Sequence, residues 1–390
     1  MTSIKVTALL PCLNEEKTLP FCIRKIRHAF EIMGVQGEVL VADNGSNDAS
    51  VTVAESFGAT VIHVKTRGYG AALKAGIDAA AGEIIVMADA DDSYDWGALG
   101  NFVEKIEQGY DLVMGNRFLG GIERGAMPWH HRYIGNPVLS FAARIAFEIP
   151  INDFHCGLRA FRKDKILKIN LKSDGMEFAT EMVANASRCG LKITEIPTRL
   201  HLDKRERPPH LRSFRDGWRH LKFILMYAPD YLYLVPGLFM FVLGCLGAAL
   251  LSCGPVRAGS VYIGIHYLAL SNLFGITGYS IVWMGLLAKV LMSNRFPLLA
   301  TRFVALFAEK FNTERAILLG FVMAATGLSV DLIILIIWLH RQIKSMEDTV
   351  HPAFAATFLV AIGILTIFNS FLLSLVNEQY RIKTGGQQYR

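Results

Sequence analysis

Residues 85–94 read IVMADADDSY, an apolar run that ends in three carboxylates, Asp89, Asp91 and Asp92, within four residues. With Glu83 and Ile84 in front, the run has the length and β-branched content of a buried strand. Small Ala90 separates Asp89 from Asp91, so a turn at the strand end brings both carboxylates to one point. Carboxylate oxygens suit a hard divalent cation, Mg2+ or Mn2+. Taken alone, Asp-x-Asp is better read as a solvated turn, because Asp favours turns. The flanking sequence decides between the two.

Four other apolar runs accompany EIIVMA in the N-terminal half: VTALLP, EVLVAD, ATVIHV and DLVMG. Helical patterns lie between them, and the alternation predicts parallel βαβ units in a doubly wound sheet. Ligands of such sheets bind beyond the carboxyl ends of the strands. The polar motifs fall there: Pro11-Cys12-Leu13-Asn14-Glu15-Glu16 after the first strand, Asp43-Asn44-Gly45-Ser46-Asn47-Asp48 after the second, and the acidic cluster after the fourth. Asp43 and Asp48 suit hydrogen bonds to a base or ribose, and equally suit turn caps. The stretch Arg67-Gly68-Tyr69-Gly70-Ala71-Ala72-Leu73-Lys74 is a glycine turn opening a helix, whose first amides attract phosphate. A metal-bridged diphosphate then becomes the economical reading of the acids.

The chain has 390 residues, 52% of them apolar, and a net charge of +6. Its mean hydropathy of +0.33 is high for a globular chain, and the excess lies beyond residue 229. Runs at 231–252, 262–290, 316–338 and 353–376 reach the roughly 20 apolar residues that a bilayer requires. Lys and Arg near the spans (Arg295, Arg302, Lys310 and Arg315 in the middle loop; Arg381, Lys383 and Arg390 in the tail) put the N-terminal domain on the cytoplasmic side. Arg341 and Lys344 in HRQIKSMEDTVH run against that assignment. No signal peptide is read at the start. Cysteines at 12, 22, 156, 189, 245 and 253 have neither zinc nor disulfide spacing. No nucleic-acid partner is expected, and self-association is left open.

Between the halves, Phe214, Trp218, Leu221, Leu225 and Ala228 share one helical face, with Arg212, Arg215, Arg219 and Lys222 on another. This predicts a helix lying in a membrane interface. Phe296, Leu299, Phe303, Phe307 and Phe311, beside Arg295 and Arg302, repeat the pattern. Asp331 lies inside the third span, where an unpaired charge costs at least about 2.5 kcal/mol near the helix centre. Pairing with His266 of the second span, or a polar pocket shared with it between spans, is the expectation.

The motifs PCLNEE, DNGSNDAS, RGYGAALKAG, MADADDSY, GNRF and NDFHCGLRAF, in this order over about residues 5–230, resemble a family-two glycosyltransferase, close to polyprenyl-phosphate sugar synthases such as dolichol-phosphate mannose or glucose synthase. The resemblance implies a GT-A, Rossmann-like nucleotide-sugar-binding domain, and with the four apolar spans, which exceed the two of many relatives, the expected fold is α/β followed by an all-α transmembrane domain of four helices. The implied organisation is a cytoplasmic catalytic domain at 1–211, an amphipathic interfacial helix at 212–228, the membrane domain at 229–378 with an interfacial segment near 294–312, and a cytoplasmic tail at 379–390. By the same resemblance, Pro11, Asn14, Glu15, Asp43 and Asp48 line the nucleotide pocket, with Gly68, Gly70 and Lys74 along it. Asp89 and Asp91 hold the metal, Mg2+ or Mn2+, and the diphosphate. Asp153 matches the family's catalytic aspartate. Arg117 and Arg132 match arginines placed near the lipid phosphate, and Arg205 and Arg207, in a basic run, are candidates to close over it. Glu181, mid-helix, reads as structural before catalytic. Ser93 replaces a Gln that some relatives use as a further ligand. The lack of Gln-x-x-Arg-Trp counts against a processive polysaccharide synthase.

The implied reaction moves a hexose from a nucleotide diphospho-sugar, of UDP-glucose or GDP-mannose type, to polyprenyl or dolichyl phosphate, with inversion. Two other readings compete: transfer to another lipid such as diacylglycerol, and a non-catalytic membrane scaffold with a nucleotide-sugar-binding domain. The intact MADADD and NDFHCGLR motifs argue against the scaffold.

Overall fold

The computed structural model describes residues 4–204, 213–259, 261–295, 311–341 and 347–385. The chain divides into two compact units, Met1–Tyr227 and Ala228–Arg390. In the first unit the five apolar runs form β1 (Val6–Cys12), β2 (Gly37–Asp43), β3 (Thr60–His63), β4 (Ile84–Met87) and β5 (Leu112–Asn116). Two strands with less apolar sequences, β6 (Arg159–Arg162) and β7 (Ile193–Pro197), complete a seven-stranded sheet in the order β3-β2-β1-β4-β6-β5-β7. The five expected strands run parallel to one another, and the sheet is mixed only through β6, which the apolar pattern did not mark. β6 runs antiparallel to both β4 and β5, with Arg159 opposite Met87 and Met114.

That reversal positions the site. Because β6 is antiparallel, its start lies at the carboxyl ends of β4 and β5. The motif Asn152–Leu158, which precedes a strand, therefore joins motifs that follow strands.

Alternation along the strands gives each face of the sheet its own core. Val6, Ala8, Leu10, Val39, Val41, Ile84 and Val86 pack with α1 (Leu19–Met33) and with residues of Leu99–Glu107; α2 is Ser50–Ser56. Leu9, Leu40, Ile85 and Met87 pack on the other side with α3 (Tyr69–Ala79). Taking Leu99–Glu107 as α4, the remaining helices are α5 (Arg117–Gly120), α6 (Asn136–Phe147), α7 (Lys163–Lys168), α8 (Phe178–Arg188) and α9 (Ser213–Met226). Helices α6, α7, α8 and α9 all contribute to the second core, α9 through Phe223 and Ile224. Pro20 in the first turn and left-handed Gly34 (φ 63°) delimit α1.

The second unit holds α10 (Val235–Leu251), a small hairpin of β8 (Val256–Ala258) and β9 (Val261–Ile263), and α11 (Ile265–Arg295), α12 (Thr313–Arg341) and α13 (Glu347–Gly385). Four stretches are long and apolar enough to cross a membrane: Asp230–Leu251, Ile265–Ser293, Thr313–His340 and Thr349–Asn377. Small residues let the backbones approach. A Cβ on Gly244 of α10 would stand 2.2 Å from the Gly275 nitrogen of α11, and one on Gly363 of α13 would stand 2.5 Å from the Gly320 carbonyl of α12. His351 hydrogen-bonds through Nδ1 to the Leu251 carbonyl at 2.8 Å, closing the end of α10.

The expected Asp331–His266 pair is not formed. Asp331 is half-buried, His266 is exposed, and no hydrogen bond or ion pair joins them among the described residues. The packing gives the reason: α12 lies chiefly against α13, whereas α11 lies against α10 and α13. Of the expected interfacial segment near 294–312, residues 296–310 fall outside the described residues.

Gly244→Leu should destabilise the helical unit by about 1–3 kcal/mol through overpacking. Thermal unfolding of the full chain in detergent checks this, with a lowered transition expected.

Candidate active site

The loops after β1 and β2 interlock. Asn14, left-handed at φ 58°, donates its amide to Ser46 Oγ at 2.9 Å and accepts the Asn47 amide at 2.8 Å. The Glu15 amide donates to Ser50 Oγ at 2.8 Å, and Glu15 itself is buried. The Asp48 carboxylate accepts from the Glu16 amide (3.2 Å) and from the Ser50 amide (3.0 Å) and hydroxyl (2.5 Å). Burial would raise the Asp48 pKa, but these donors outweigh it and hold the group below the usual carboxylate range. Asp43, 4% exposed, accepts the amides of Gly45 and Ser46 at 3.2 Å each, and His63 Nδ1 lies 3.5 Å from it. Both acids thus cap turns that shape the loops beyond β1 and β2. Pro11 lies near the end of β1, paired with Ala42.

The glycine turn does different work from that expected. The Gly70 and Ala71 amides donate to the Asp174 carbonyl at 2.9 and 3.2 Å, and the Gly68 amide donates to Asn44 Oδ1 at 2.7 Å. These amides are therefore already engaged and do not form a phosphate cradle. The glycines are required by close approach: a Cβ on Gly68 would meet the Asp174 carbonyl at 2.1 Å, and one on Gly70 the Ser173 carbonyl at 2.4 Å. Lys74 pairs with Asp174 at 2.5 Å. Tyr69 instead turns to the acidic cluster and hydrogen-bonds Asp89. Burial first, and Asp89 second, raise its phenol pKa well above the ordinary value.

Asp89 and Asp91 follow β4. Asp91 is 4% exposed, and its Oδ1 accepts the amide and hydroxyl of Ser93 at 3.0 and 2.6 Å. The donor set is all carboxylate oxygen, which fits a hard divalent ion. Among the described residues no group of three or more His, Cys, Asp or Glu side chains could hold a metal. An ion at Asp89 and Asp91 would therefore need further oxygens, such as those of a diphosphate.

Next to the acids stands the 152–158 loop. Arg159 is fully buried and donates to the carbonyls of Cys156 (2.9 Å), Ala179 (2.5 Å) and Phe154 (3.1 Å). Gly157 lies between the acids and Tyr94: its amide donates to the Tyr94 hydroxyl at 2.8 Å, and a Cβ there would stand 2.9 Å from Asp89 Oδ2. Asp153 is fully buried and joined to Arg117 by two parallel bonds of 2.8 Å, with the Arg117 amide adding a third at 3.0 Å. Burial alone would lower the Arg117 pKa, but Asp153 and its neighbours reverse this and keep the guanidinium charged.

His155 meets His220 of α9 edge-on at 4.7 Å, and His220 Nδ1 lies 2.8 Å from Thr180 Oγ1. Burial, opposed by Asp216, brings His220 down to about 4. Burial and then His220 push His155 well below its ordinary value, so both rings are neutral at physiological pH.

Arg132 sits half-exposed on a π-helical turn, His131–Gly135, with its guanidinium 5.5 Å from the Tyr133 ring centroid. Arg205 and Arg207 lie outside the described residues. Buried Glu181 accepts the Lys172 and Ser173 amides, a structural role. All six cysteines are free. Sequence reading missed Tyr69, Tyr94, Gly157 and Arg159. Each lies inside a quoted motif (Tyr69 in RGYGAALKAG, Tyr94 in MADADDSY, Gly157 and Arg159 in NDFHCGLRAF), which was the one signal the sequence offered.

Residues 7–169 match the family model described as Glycosyl transferase family 2, and residues 286–377 that of the Glycosyltransferase family 2 C-terminal transmembrane region. The chain is 34% identical over 374 residues to the low-salt glycan biosynthesis hexosyltransferase Agl6 of Haloferax volcanii, covering 96% of this chain and 89% of that protein. It therefore belongs to glycosyltransferase family 2, with the family's transmembrane region attached, and it is a glycosyltransferase. The dolichyl-phosphate hexose transferase of Haloferax volcanii is 30% identical over 47% of this chain and 77% of its own length. The polyprenol monophosphomannose synthase of Mycolicibacterium smegmatis is 27% identical over 50% and 76%. Glucosyl-3-phosphoglycerate synthase from Mycobacterium tuberculosis, in complex with phosphoglyceric acid, aligns over 58% of this chain and 80% of its own at 20% identity and a TM-score of 0.46, too low to carry a functional argument.

Gly157→Ala should displace Asp89, and displacement of about 1 Å at a reacting centre costs on the order of a hundredfold in rate. Measured turnover should fall by that order while thermal stability changes little.

Proposed function

We propose that the protein moves a hexose from a nucleotide diphospho-sugar, of UDP-glucose or GDP-mannose type, to polyprenyl or dolichyl phosphate, inverting the anomeric centre. The observation that supports this most is one continuous wall: Asp89, Gly157, Tyr94, Arg117 and Asp153, in which Tyr94 lies within electrostatic reach of both Asp89 and Arg117. A place for a leaving diphosphate and a fixed cation for an incoming phosphate thus adjoin. Two relatives, the polyprenol monophosphomannose synthase and the dolichyl-phosphate hexose transferase, are named for the same acceptor class.

In this reading Pro11, Asn14, Glu15, Asp43 and Asp48 shape the nucleotide pocket, and Gly68, Gly70 and Lys74 hold its far wall. Asp89 and Asp91 would hold a Mg2+ or Mn2+ ion, which when bound supplies positive charge at the leaving diphosphate. The anomeric C–O bond breaks and its electron pair leaves on the diphosphate oxygen. An oxygen of the acceptor phosphate forms the new bond from the opposite face. A phosphate monoester has a second pKa near 6, so that oxygen is largely ionised at neutral pH and needs little proton removal. Asp153, with both oxygens engaged by Arg117, acts by fixing the guanidinium that receives the acceptor phosphate. Arg132 stands on the same acceptor side, and Arg205 and Arg207 are assigned there from sequence.

The lipid reaches the site at a membrane surface. Helices α6 and α9 pack together, and each turns an apolar face outward: Ile134, Val138, Phe141 and Ile145 beside α6, Phe214 and Trp218 on α9. With Arg144, Arg215, Arg219 and Lys222 nearby, these faces suit the interface of a bilayer. The catalytic unit is assigned to the cytoplasm on the distribution of Lys and Arg around the spans.

Membranes containing the protein, polyprenyl phosphate and labelled donor should yield label in an alkali-stable, acid-labile lipid after solvent extraction. The label should vanish on chelation and in Asp91→Ala. Equal labelling with diacylglycerol and no polyprenyl phosphate would contradict the acceptor assignment.

A further inference from the structure

Asp92, the third acid of the cluster, faces away from the role of its neighbours. It is 1% exposed and left-handed at φ 61°, a costly conformation for a residue with a Cβ. Its Oδ1 lies 2.6 Å from Lys25 Nζ and its Oδ2 lies 2.6 Å from Lys204 Nζ. Lys25 belongs to α1. The Lys204 ammonium also lies 4.4 Å from the ring centroid of Phe21, one turn earlier on α1. Oδ1 thus accepts a hydrogen bond from Lys25, and Oδ2 is ion-paired with Lys204 without the geometry of a hydrogen bond.

Lys204 belongs to a strap, residues 198–204, that crosses the acidic turn. Leu200 bridges Tyr94, the His201 amide donates to the Ser93 carbonyl at 2.8 Å, and the Lys204 amide donates to the Asp91 carbonyl at 3.3 Å. On its other edge the strap is held by the Leu200 amide on the Gly121 carbonyl at 3.0 Å and by His201 Nδ1 at 3.2 Å from Glu123 Oε2. The backbone groups that the strap fastens belong to Asp91 and Ser93, and Ser93 in turn donates twice to the Asp91 carboxylate.

We propose that Asp92 is a positioning residue of the transfer reaction: through Lys204 and Lys25 it locks the 198–204 strap and α1 onto the Asp91–Ser93 turn, and it acts through them rather than on the metal or the donor. A buried carboxylate with two cations is a strong fastening in one direction only, since removing either partner leaves an uncompensated charge. Two ammonium groups also offset part of the repulsion among three adjacent acids. The inference rests on the proposed reading of Asp89 and Asp91 for its kinetic arm alone.

The test compares Asp92→Asn, Lys204→Met, the double variant and Lys204→Arg in the full-length protein. Hydrogen exchange of the strap amides, read on the resting protein without donor, should accelerate about tenfold or more in both first variants and no further in the double variant. Lys204→Arg should restore the slow rate. Hexosyl transfer should fall together in Asp92→Asn and Lys204→Met, with the metal concentration for half-maximal activity shifted less than about threefold, because neither residue is a ligand. Unchanged exchange in Lys204→Met, which keeps every acid and removes a half-exposed side chain, would overturn the proposal. So would an active Lys204→Met beside an inactive Asp92→Asn that demands far more metal, the signature of a third ligand. If no donor or acceptor supports transfer, the exchange result still decides whether Asp92 fastens the strap.

Discussion

A guanidinium buried without water must be met by acceptors. Arg159 meets that demand with three backbone carbonyls, those of Phe154, Cys156 and Ala179. The 152–158 loop is wound around this cation at the start of β6, and its other residues take their places as a result. Asp153 is turned to Arg117, His155 to His220, and Gly157 to the gap between Asp89 and Tyr94. The antiparallel entry of β6 between β4 and β5 delivers the loop to the same sheet edge as the acids. Reversal of one strand therefore converts two motifs some sixty residues apart into one site, as the Gly157–Tyr94 bond across a separation of 63 residues shows.

Around that edge the charges are compensated in pairs. Arg117 is matched by Asp153, Asp92 by Lys25 and Lys204, and Lys74 by Asp174. The Arg117–Asp153 pair, so deeply placed, costs desolvation and is held by geometry rather than by net attraction, whereas the Lys74–Asp174 pair and the lysines of Asp92 are partly exposed. In the proposed reaction two phosphorylated species meet, so fixed opposing charges keep that meeting in register. The membrane helices solve a separate problem. With little hydrophobic force between helices in lipid, close contact depends on the glycines of α10, α11, α12 and α13.

Much of this was legible in the residues. Five strands announced themselves because buried parallel strands are nearly continuous apolar runs, and four spans because a bilayer sets their length. The strands β6 and β7 escaped because RAFR carries a charge at each end and ITEIP has Glu195 at its middle and ends on proline, so both read as loop or helix edge. The Gly68–Gly70 turn was visible as a glycine turn opening a helix, but the partner of its amides is the Asp174 carbonyl, a contact over a hundred residues away that no local pattern encodes. Asp331 and His266 looked like partners because each is polar in an apolar stretch. Which helices neighbour each other, however, is decided by glycine packing. The lysines that engage Asp92 lie 67 residues before it on α1 and beyond β7 in the strap, so the acidic cluster alone could not show that its third member is turned to lysines.

The central claim is that Arg117 and Asp153 act as one unit that receives the acceptor phosphate. A double-mutant cycle on kcat/KM for the acceptor, using Arg117→Lys and Asp153→Asn, tests it most directly. The account predicts strong coupling, of the order of 0.5–3 kcal/mol, so that the double variant is little worse than the poorer single one, while KM for the donor is unmoved. Losses that simply multiply, or that fall on the donor instead, would contradict it.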